Sequence, residues 1–240
     1  MKKLLAVLWA CVTAVSLWAP GTAERINGDW DYFTPENITA EIWQYMGTDT
    51  EVVIPSELEG RKVTGIKYDA FCGSETLTSV VIPEGVTSIG ERAFAFSESL
   101  ASVTIPAGVT KVGSQVFNGC TALKDVSIGE GLTTISEGMF YTCVSLTGIT
   151  IPESVTTIGE GAFNLCISLA SITIPENVTS IGIEAFHCCE SLTSITIPAS
   201  VASIGADAFQ DCYSLIATVC RGSYAEQYCE ENGIEYVYSD

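Results

Sequence analysis

The stretch LTGITIPESVTTIGEGAFNLC, residues 146–166, decides the fold, because its pattern recurs along most of the chain with a constant period of 23. Repeats of this length are typical of solenoids, in which each unit buries its apolar residues by stacking on its neighbours. Seven phenylalanines keep this period: Phe71, Phe94, Phe117, Phe140, Phe163, Phe186 and Phe209. Seven leucines keep it in the same register: Leu77, Leu100, Leu123, Leu146, Leu169, Leu192 and Leu215.

Within one unit, apolar residues first alternate with polar ones and are then interrupted. Ile149 and Ile151 flank a polar residue, which indicates a strand with one buried face. Pro152 ends that strand because proline has no N–H for a sheet, and Gly159 marks a tight bend. The sequence therefore predicts an α/β repeat solenoid, a right-handed coil with a parallel β-sheet on one face, short helical or 3-10 turns opposite, and terminal caps.

The consensus L-x-x-I-x-I-P-x-x-V-x-x-I-G-x-x-A-F-x-x-C resembles the BspA-like leucine-rich repeats of bacterial surface proteins, which are related to the treponemal type. The resemblance covers roughly residues 38–238. The coil after Leu123 departs from it, because Gly129, Ser136 and Met139 replace proline, glycine and alanine, and we expect looser bends there. The resemblance implies adhesion as the function and no catalytic residue, since the repeated residues are structural.

The chain divides into four predicted segments. Residues 1–23 resemble a secretory signal peptide, because Lys2 and Lys3 precede an apolar stretch that is too short to span a membrane. An N-terminal cap at 24–54, leucine-rich repeats at 55–219 and a C-terminal cap at 220–240 follow. The surroundings of Cys11 partly resemble a lipoprotein processing site, but the apolar run continues past this residue, which argues against lipidation.

Local signals predict the structure of both caps. Residues 38–45 alternate in the manner of a strand. Ser223 and Glu226 fit a helix capping box, and Asn232 with Gly233 fits the end of that helix. Residues 234–238 are predicted to form a last strand.

Five cysteines occupy one repeat position, three residues after the phenylalanine: Cys120, Cys143, Cys166, Cys189 and Cys212. Ser74 and Ser97 stand at this position in earlier coils. The pattern predicts small buried side chains that bond to the backbone of the turn. Equivalent Cβ atoms point in parallel, so we expect reduced thiols rather than disulfides. Cys220 and Cys229 lie outside the series and are either a capping disulfide or two core residues.

Few residues are candidates for catalysis or metal binding. The lone histidine, His187, precedes Cys188 and Cys189, but no CxxC motif or second histidine completes a site. We therefore expect no metal and an exposed histidine beside a core cysteine. The sequence has no phosphate-binding loop, GxSxG or HExxH motif, which favours a protein that is not an enzyme and has no cofactor. A carbohydrate-processing enzyme with paired carboxylates is the remaining catalytic alternative.

Acidic residues also follow the repeat. The formal charge of −19 argues against a nucleic-acid partner. Rows of carboxylates predict a solvated face, and the alternative is a strip that binds divalent cations or a cationic ligand. The rows are Glu84, Glu130, Glu153 and Glu176 after the proline position, and Glu91, Glu137 and Glu160 after the bend.

Small hydroxyl side chains dominate the outward positions of the predicted strands. One row is Val81, Thr104, Ser127, Thr150, Thr173, Thr196 and Val219, and the other is Ser79, Ser102, Asp125, Gly148, Ser171, Ser194 and Ala217. The candidate ligand-binding residues, on the concave face of the sheet, are Thr104, Asp125, Ser127, Thr150, Thr173 and Thr196. A plainer explanation is that threonine and serine favour exposed strands.

These observations predict an exported interaction module, extracellular or at the cell surface, that binds a protein or glycan partner and has no transmembrane span. The alternative is a passive scaffold of the cell envelope. The oligomeric state and the identity of the ligand are left open.

Overall fold

The computed structural model describes residues 24–239, in which the chain forms nineteen strands, one α-helix and one short 3-10-type turn at Pro35–Asn37 that contains the left-handed residue Glu36. The first ten strands are β1 Glu24–Asn27, β2 Trp30–Phe33, β3 Thr39–Tyr45, β4 Glu51–Val53, β5 Glu57–Leu58, β6 Arg61–Ile66, β7 Ser79–Val81, β8 Ser88–Ile89, β9 Ser102–Ile105 and β10 Lys111–Val112. The others are β11 Asp125–Ile128, β12 Thr134–Ile135, β13 Thr157–Ile158, β14 Ser171–Thr173, β15 Ser180–Ile181, β16 Ser194–Ile197, β17 Ser203–Ile204, β18 Ile216–Val219 and β19 Glu235–Tyr238. Helix α1 spans Tyr224–Asn232.

The front sheet consists of the longer strands of successive coils, which pair in parallel as predicted. Val80 pairs with Val103 and Val103 with Val126, each one full period of the sequence pattern later, whereas the first pair, Val52 with Val80, spans a longer loop. The sheet has two halves, β4-β7-β9-β11 and β14-β16-β18-β19, and the intervening residues 146–151 belong to neither. The predicted parallel-sheet solenoid is confirmed, but its front face is interrupted.

The strand of the last coil pairs with its neighbour one position short of a full period. Ile172 pairs with Ile195, which lies one full period later, whereas Ile195 pairs with Ala217, which lies one position short of a period. Ala217 and Val219 are therefore buried, and the prediction that they lie in the outward rows is wrong. A shift by a single position exchanges the two faces of a strand, and here it places the apolar pair in the core.

Apart from β6, the back sheet consists of two-residue strands, and it is also divided. It runs through β6, β8 and β10 and resumes as β12, β13, β15 and β17. Glycines that follow its strands donate their N–H to the preceding coil: Gly90, Gly113, Gly159, Gly182 and Gly205. A Cβ on Gly113 would lie 2.4 Å from Glu91 N, so a side chain there requires the coils to separate.

Ser136 stands at this glycine position and explains the break in the back sheet. Its hydroxyl donates to the carbonyl of Gly113 at 2.7 Å, so the side chain occupies space between the two coils. Among the described residues, no backbone hydrogen bond joins the Ser136 amide to the preceding coil, and β10 does not pair with β12. The looser bend that the departure from the consensus predicted is therefore found.

The third side of each coil consists of turns rather than the short helices expected from the sequence. In the coil of Phe94, the amides of Phe94 and Phe96 donate to the next coil, while those of Ala95 and Ser97 donate to carbonyls three residues back. Arg92 has φ of 54° and Phe96 of 58°, and equivalent residues in other coils are also left-handed. A regular 3-10 helix has negative φ at every residue, so the left-handed residues exclude a 3-10 helix on this side. The alternate amides bond to the next coil instead.

A continuous stack of aromatic rings forms the core. The seven repeated phenylalanines stack ring on ring, with centroids 4.9–5.6 Å apart and planes within 19° of parallel. Tyr45 stacks on Phe71 at the first end, and Tyr228 packs edge-on against Phe209 at the other. The caps therefore continue the core of the repeats, a role for the two tyrosines that the periodicity did not reveal.

The repeated cysteines form a hydrogen-bonded ladder beside these rings. Each thiol donates to the carbonyl of the phenylalanine in the preceding coil at 3.1–3.2 Å, for example Cys143 to Phe117. Ser97 makes the same bond to Phe71 at 3.0 Å. The predicted backbone-bonding role of this position is confirmed, and all nine cysteines of the described residues are free thiols.

Both ends of the coil are covered. At the first end, β1, β2 and β3 are antiparallel, and β3 then pairs in parallel with β6. At the other end, the predicted helix and strand are confirmed: Ser223 Oγ accepts from Glu226 N at 3.2 Å, and Gly233 ends α1 with φ of 68°. The Glu226 carboxylate accepts from the Gly222 amide rather than from Ser223. None of the described helices has the length and apolar character that a bilayer crossing requires.

We expect Phe140→Ala to destabilise the protein by about 3–5 kcal/mol, because Phe140 is fully buried in the middle of the ring stack. Denaturation with urea, followed by circular dichroism, measures the loss. Ile167→Ala is the matched control, since Ile167 is 38% exposed and should change stability by less than about 0.5 kcal/mol. Similar losses in the two variants would contradict the stacked core.

We also expect the reduced protein to lose stability between pH about 9 and 12. Burial raises the pKa of the Cys120 and Cys166 thiols to about 12, whereas an unfolded thiol titrates near 9. Alkali therefore ionises the unfolded chain first, which costs roughly 1–2 kcal/mol per buried thiol by pH 10.5. Replacing Cys120, Cys143 and Cys166 with serine should make the urea midpoint fall less steeply between pH 8 and 10.5. An unchanged slope would contradict this explanation.

Candidate binding groove

Five of the six predicted binding residues line one groove on the front sheet. The groove has a volume of about 780 Å³ and opens to solvent at the interruption between the two half-sheets. All six candidates have exposed side chains. The five in the groove are Thr104, Asp125, Ser127, Thr150 and Thr173, and Thr196 lies outside it.

The groove arises because one coil does not complete its strand. Among the described residues, no backbone hydrogen bond begins or ends at residues 148–151, although the equivalent residues of other coils are paired. Ile149 and Val126 are only partly buried, whereas Val103 and Ile172 are 3% and 5% exposed. The interruption therefore presents backbone donors and acceptors, together with some apolar surface, to a ligand.

Gly148 is the sequence feature that marks this site. Serine or aspartate stands at this position in most other coils, and glycine weakens a strand because it has no side chain to pack. Two departures from the consensus therefore mark the two breaks: the back sheet breaks beside Ser136, and the front sheet breaks at Gly148. Sequence reasoning noted the departures after Leu123 but did not predict a groove, since a local loss of pairing depends on how two coils fit together.

The groove suits hydrogen bonding to an extended polar ligand. Its lining is mainly hydroxyls and backbone, with Lys124, Asp125 and Glu153 as charged groups. Neither a histidine nor a cysteine lies among the lining residues, so a nucleophile paired with an imidazole base is not assembled there.

The repeated carboxylates lie apart from the groove, with one exception. All seven are exposed, as a solvated face requires, and only Glu153 also lines the groove. The acidic rows do not form a compact metal-binding group in the described chain.

The surroundings of His187 differ from the prediction. The side chain is half-buried at 26% exposure rather than exposed, with Nε2 3.4 Å from Asp211 Oδ2. Cys189 is buried in the ladder as expected, while Cys188 lies 3.7 Å from the same oxygen of Asp211. Burial, and secondarily the negative charge of Asp211, raises the pKa of Cys188. Asp211 was not predicted as a neighbour of His187, because it lies one coil further along the chain.

The two cysteines of the C-terminal cap lie in different surroundings. Cys229 is buried against the core, and burial raises its pKa to about 11. Cys220 is half-buried, with its sulfur 3.4 Å from the hydroxyl of Ser239. Both are free thiols, so of the two alternatives left open the structure favours a core residue for Cys229.

Stacked parallel strands, a repeated leucine and a polar front face define a leucine-rich-repeat solenoid, a fold class of protein-interaction modules. A family profile described as the BspA type leucine rich repeat region matches residues 36–166 and 133–228. The chain belongs to this family, as the repeat consensus predicted. A comparison with curated proteins finds no match.

Solved structures with the same coil come from several bacteria. A leucine rich cell surface protein of Faecalibacterium prausnitzii A2-165 is 36% identical with a TM-score of 0.76, over 84% of this chain and 55% of that one. A leucine-rich repeat protein of Treponema pallidum is 27% identical with a TM-score of 0.61, over 90% and 98% of the two chains. One from Eubacterium ventriosum is 27% identical with a TM-score of 0.67, over 78% and 51%. The chain therefore spans about half the length of the first and third of these relatives.

Proposed function

We propose that the protein is an exported interaction module that binds an extracellular protein or glycan in the front groove. The observation that carries the proposal is the convergence of five outward polar side chains on a stretch of unpaired backbone. Unpaired donors and acceptors are costly when they are buried without partners, so a ligand that completes their hydrogen bonds would be favoured at this segment. The neighbouring hydroxyls add further donors and acceptors.

The N-terminal segment and one relative support export and display. Residues 1–23, which lie outside the described residues, have the lysines, apolar stretch and small residues of a signal peptide, so the mature chain begins at Glu24. The Faecalibacterium relative is a cell surface protein. On this basis the mature protein, with a cap at 24–54, repeats at 55–219 and a second cap at 220–240, acts in adhesion to host glycoproteins or to other cells.

The shape of the groove favours an extended partner over a small molecule. The groove is open, and its polar lining extends across coils from Ser79 to Pro175. A small ligand is normally enclosed over most of its surface, whereas an open polar strip contacts a peptide segment or a glycan chain along its length. The strongly negative charge of the protein argues against an extended polyanion as the ligand.

We expect Thr150→Arg to weaken binding at least about tenfold, because the long charged side chain would fill the groove at its unpaired segment. The assay is binding of residues 24–240 to an array of extracellular-matrix proteins and glycans, after mass spectrometry has established that the exported protein begins at Glu24. Affinity for each ligand that binds is then measured by calorimetry.

Thr196→Arg is the matched control, since Thr196 has the same repeat position and exposure but lies outside the groove. Its affinity should stay within about twofold of the original protein. Equal losses in both variants would place binding elsewhere on the sheet. A mature protein that binds no component of the array would contradict the adhesion proposal and favour a passive envelope scaffold.

A further inference from the structure

Three side chains with metal-binding atoms converge on an outer edge of the solenoid. Within residues 24–239, only His187, Cys188 and Asp211 form such a group, with one ligand atom from each lying within 4.8 Å of the others. Asp211 Oδ2 lies 3.4 Å from His187 Nε2 and 3.7 Å from Cys188 Sγ. All three residues are half-buried, so the group is shielded from bulk water but still accessible.

Two of the three separations in this group match those around a tetrahedral zinc ion. Zinc binds nitrogen and oxygen at about 2.0–2.2 Å and thiolate sulfur at about 2.3 Å. Tetrahedral angles then place nitrogen and oxygen about 3.4 Å apart, and sulfur and oxygen about 3.6 Å apart. The observed distances of 3.4 Å and 3.7 Å match these two values, and the nitrogen and the sulfur lie within 4.8 Å of each other.

Asn164 and Glu184 provide an outer set of partners for the imidazole. Asn164 Nδ2 lies 3.0 Å from Glu184 Oε2 and 3.5 Å from His187 Nδ1, and the Glu184 oxygen is 3.9 Å from that nitrogen. Asn164 is 3% exposed, and its Oδ1 has no hydrogen-bond partner among the residues that the structure describes. A metal on Nε2 would leave the hydrogen on Nδ1, 3.9 Å from Glu184 Oε2, so a small movement of that carboxylate would be needed for it to accept the hydrogen. Zinc-bound histidines usually have such a partner.

The repeat itself does not require this combination of side chains. Cys188 and Asp211 occupy the same position in consecutive coils, and His187 occupies the preceding position. Elsewhere the position of Cys188 is held by Gly73, Phe96, Gly119, Thr142 and Leu165, and that of His187 by Cys72, Ala95, Asn118, Tyr141, Asn164 and Gln210. Because such varied residues satisfy the fold, the fold does not account for the one place where three ligands meet.

We propose that His187 Nε2, Cys188 Sγ and Asp211 Oδ2 bind one zinc ion that clips two consecutive coils together. The fourth position of the ion is open to water or to a side chain of a partner. Binding releases to solvent the thiol proton of Cys188 and any proton on Nε2, and no electrons are exchanged. The carboxylates of Glu184 and Glu190 add negative charge that attracts the cation.

Calorimetric titration of the reduced, metal-free protein with Zn²⁺ tests this site, and Co²⁺ reports sulfur ligation through its charge-transfer absorption. We expect one ion per chain with thiolate absorption, and a thermal midpoint that rises with added zinc. His187→Asn, Cys188→Thr and Asp211→Asn should each weaken zinc binding by more than the roughly 10–100-fold expected for an outer-partner change. Asparagine and threonine already occupy the first two positions in other coils, so these variants should melt normally without metal.

Cys72→Ala is the control, because it removes another half-buried thiol at the repeat position of His187 and leaves the cluster unchanged. It should retain full zinc affinity and cobalt absorption. A wild-type protein without stoichiometric zinc binding would overturn the proposal. Zinc affinity that is unchanged in the three ligand variants would overturn the proposal. Zinc affinity that is lost in Cys72→Ala would also overturn it, because either result places the ion at other thiols.

Discussion

The structure depends on one constraint: each coil must return its side chains to the same place so that phenylalanine rings and backbone groups stack on those of the neighbour. The rings lie 4.9–5.6 Å apart along the whole stack, close to the separation of hydrogen-bonded strands. The ladder of thiols and the alternating turns repeat at the same interval. Because three separate sets of contacts share one period, the core remains continuous where both sheets are interrupted.

The two proposed binding sites lie where the repeat is broken. Ser136 occupies space that a glycine leaves free in other coils, and the back sheet opens beside it. Gly148 lies in the coil that leaves the front sheet unpaired, where the groove forms. Asp211 and His187 stand at turn positions that hold varied residues in other coils, and they form the candidate zinc site together with Cys188. The regular residues form the stacked core, and the irregular ones form the proposed groove and zinc site.

Much of the fold could be predicted from the sequence, because a fixed spacing of apolar residues determines which side chains must be buried together. The parallel sheet, the role of the ladder position and the helix after Ser223 follow from such local patterns. The turns could not be predicted, since their left-handed residues, such as Arg92, are stabilised by bonds to the next coil. The shifted register at Ala217, the groove at Gly148 and the approach of Asp211 to His187 each depend on the fit of two coils, which a single repeat does not encode.

Deletion of one whole coil tests the central claim most directly. Removing residues 170–192 takes out one full period of the repeat and brings Phe163 into register with Phe209. The stacked-coil account predicts a folded protein, shorter by about 4.8 Å, with circular dichroism per residue and cooperative unfolding like those of the original. Removing only residues 171–192 leaves one extra residue at the junction, so the coils on either side of it meet out of register and the protein should unfold at a lower urea concentration. Equal behaviour of the two deletions in urea unfolding would contradict the account.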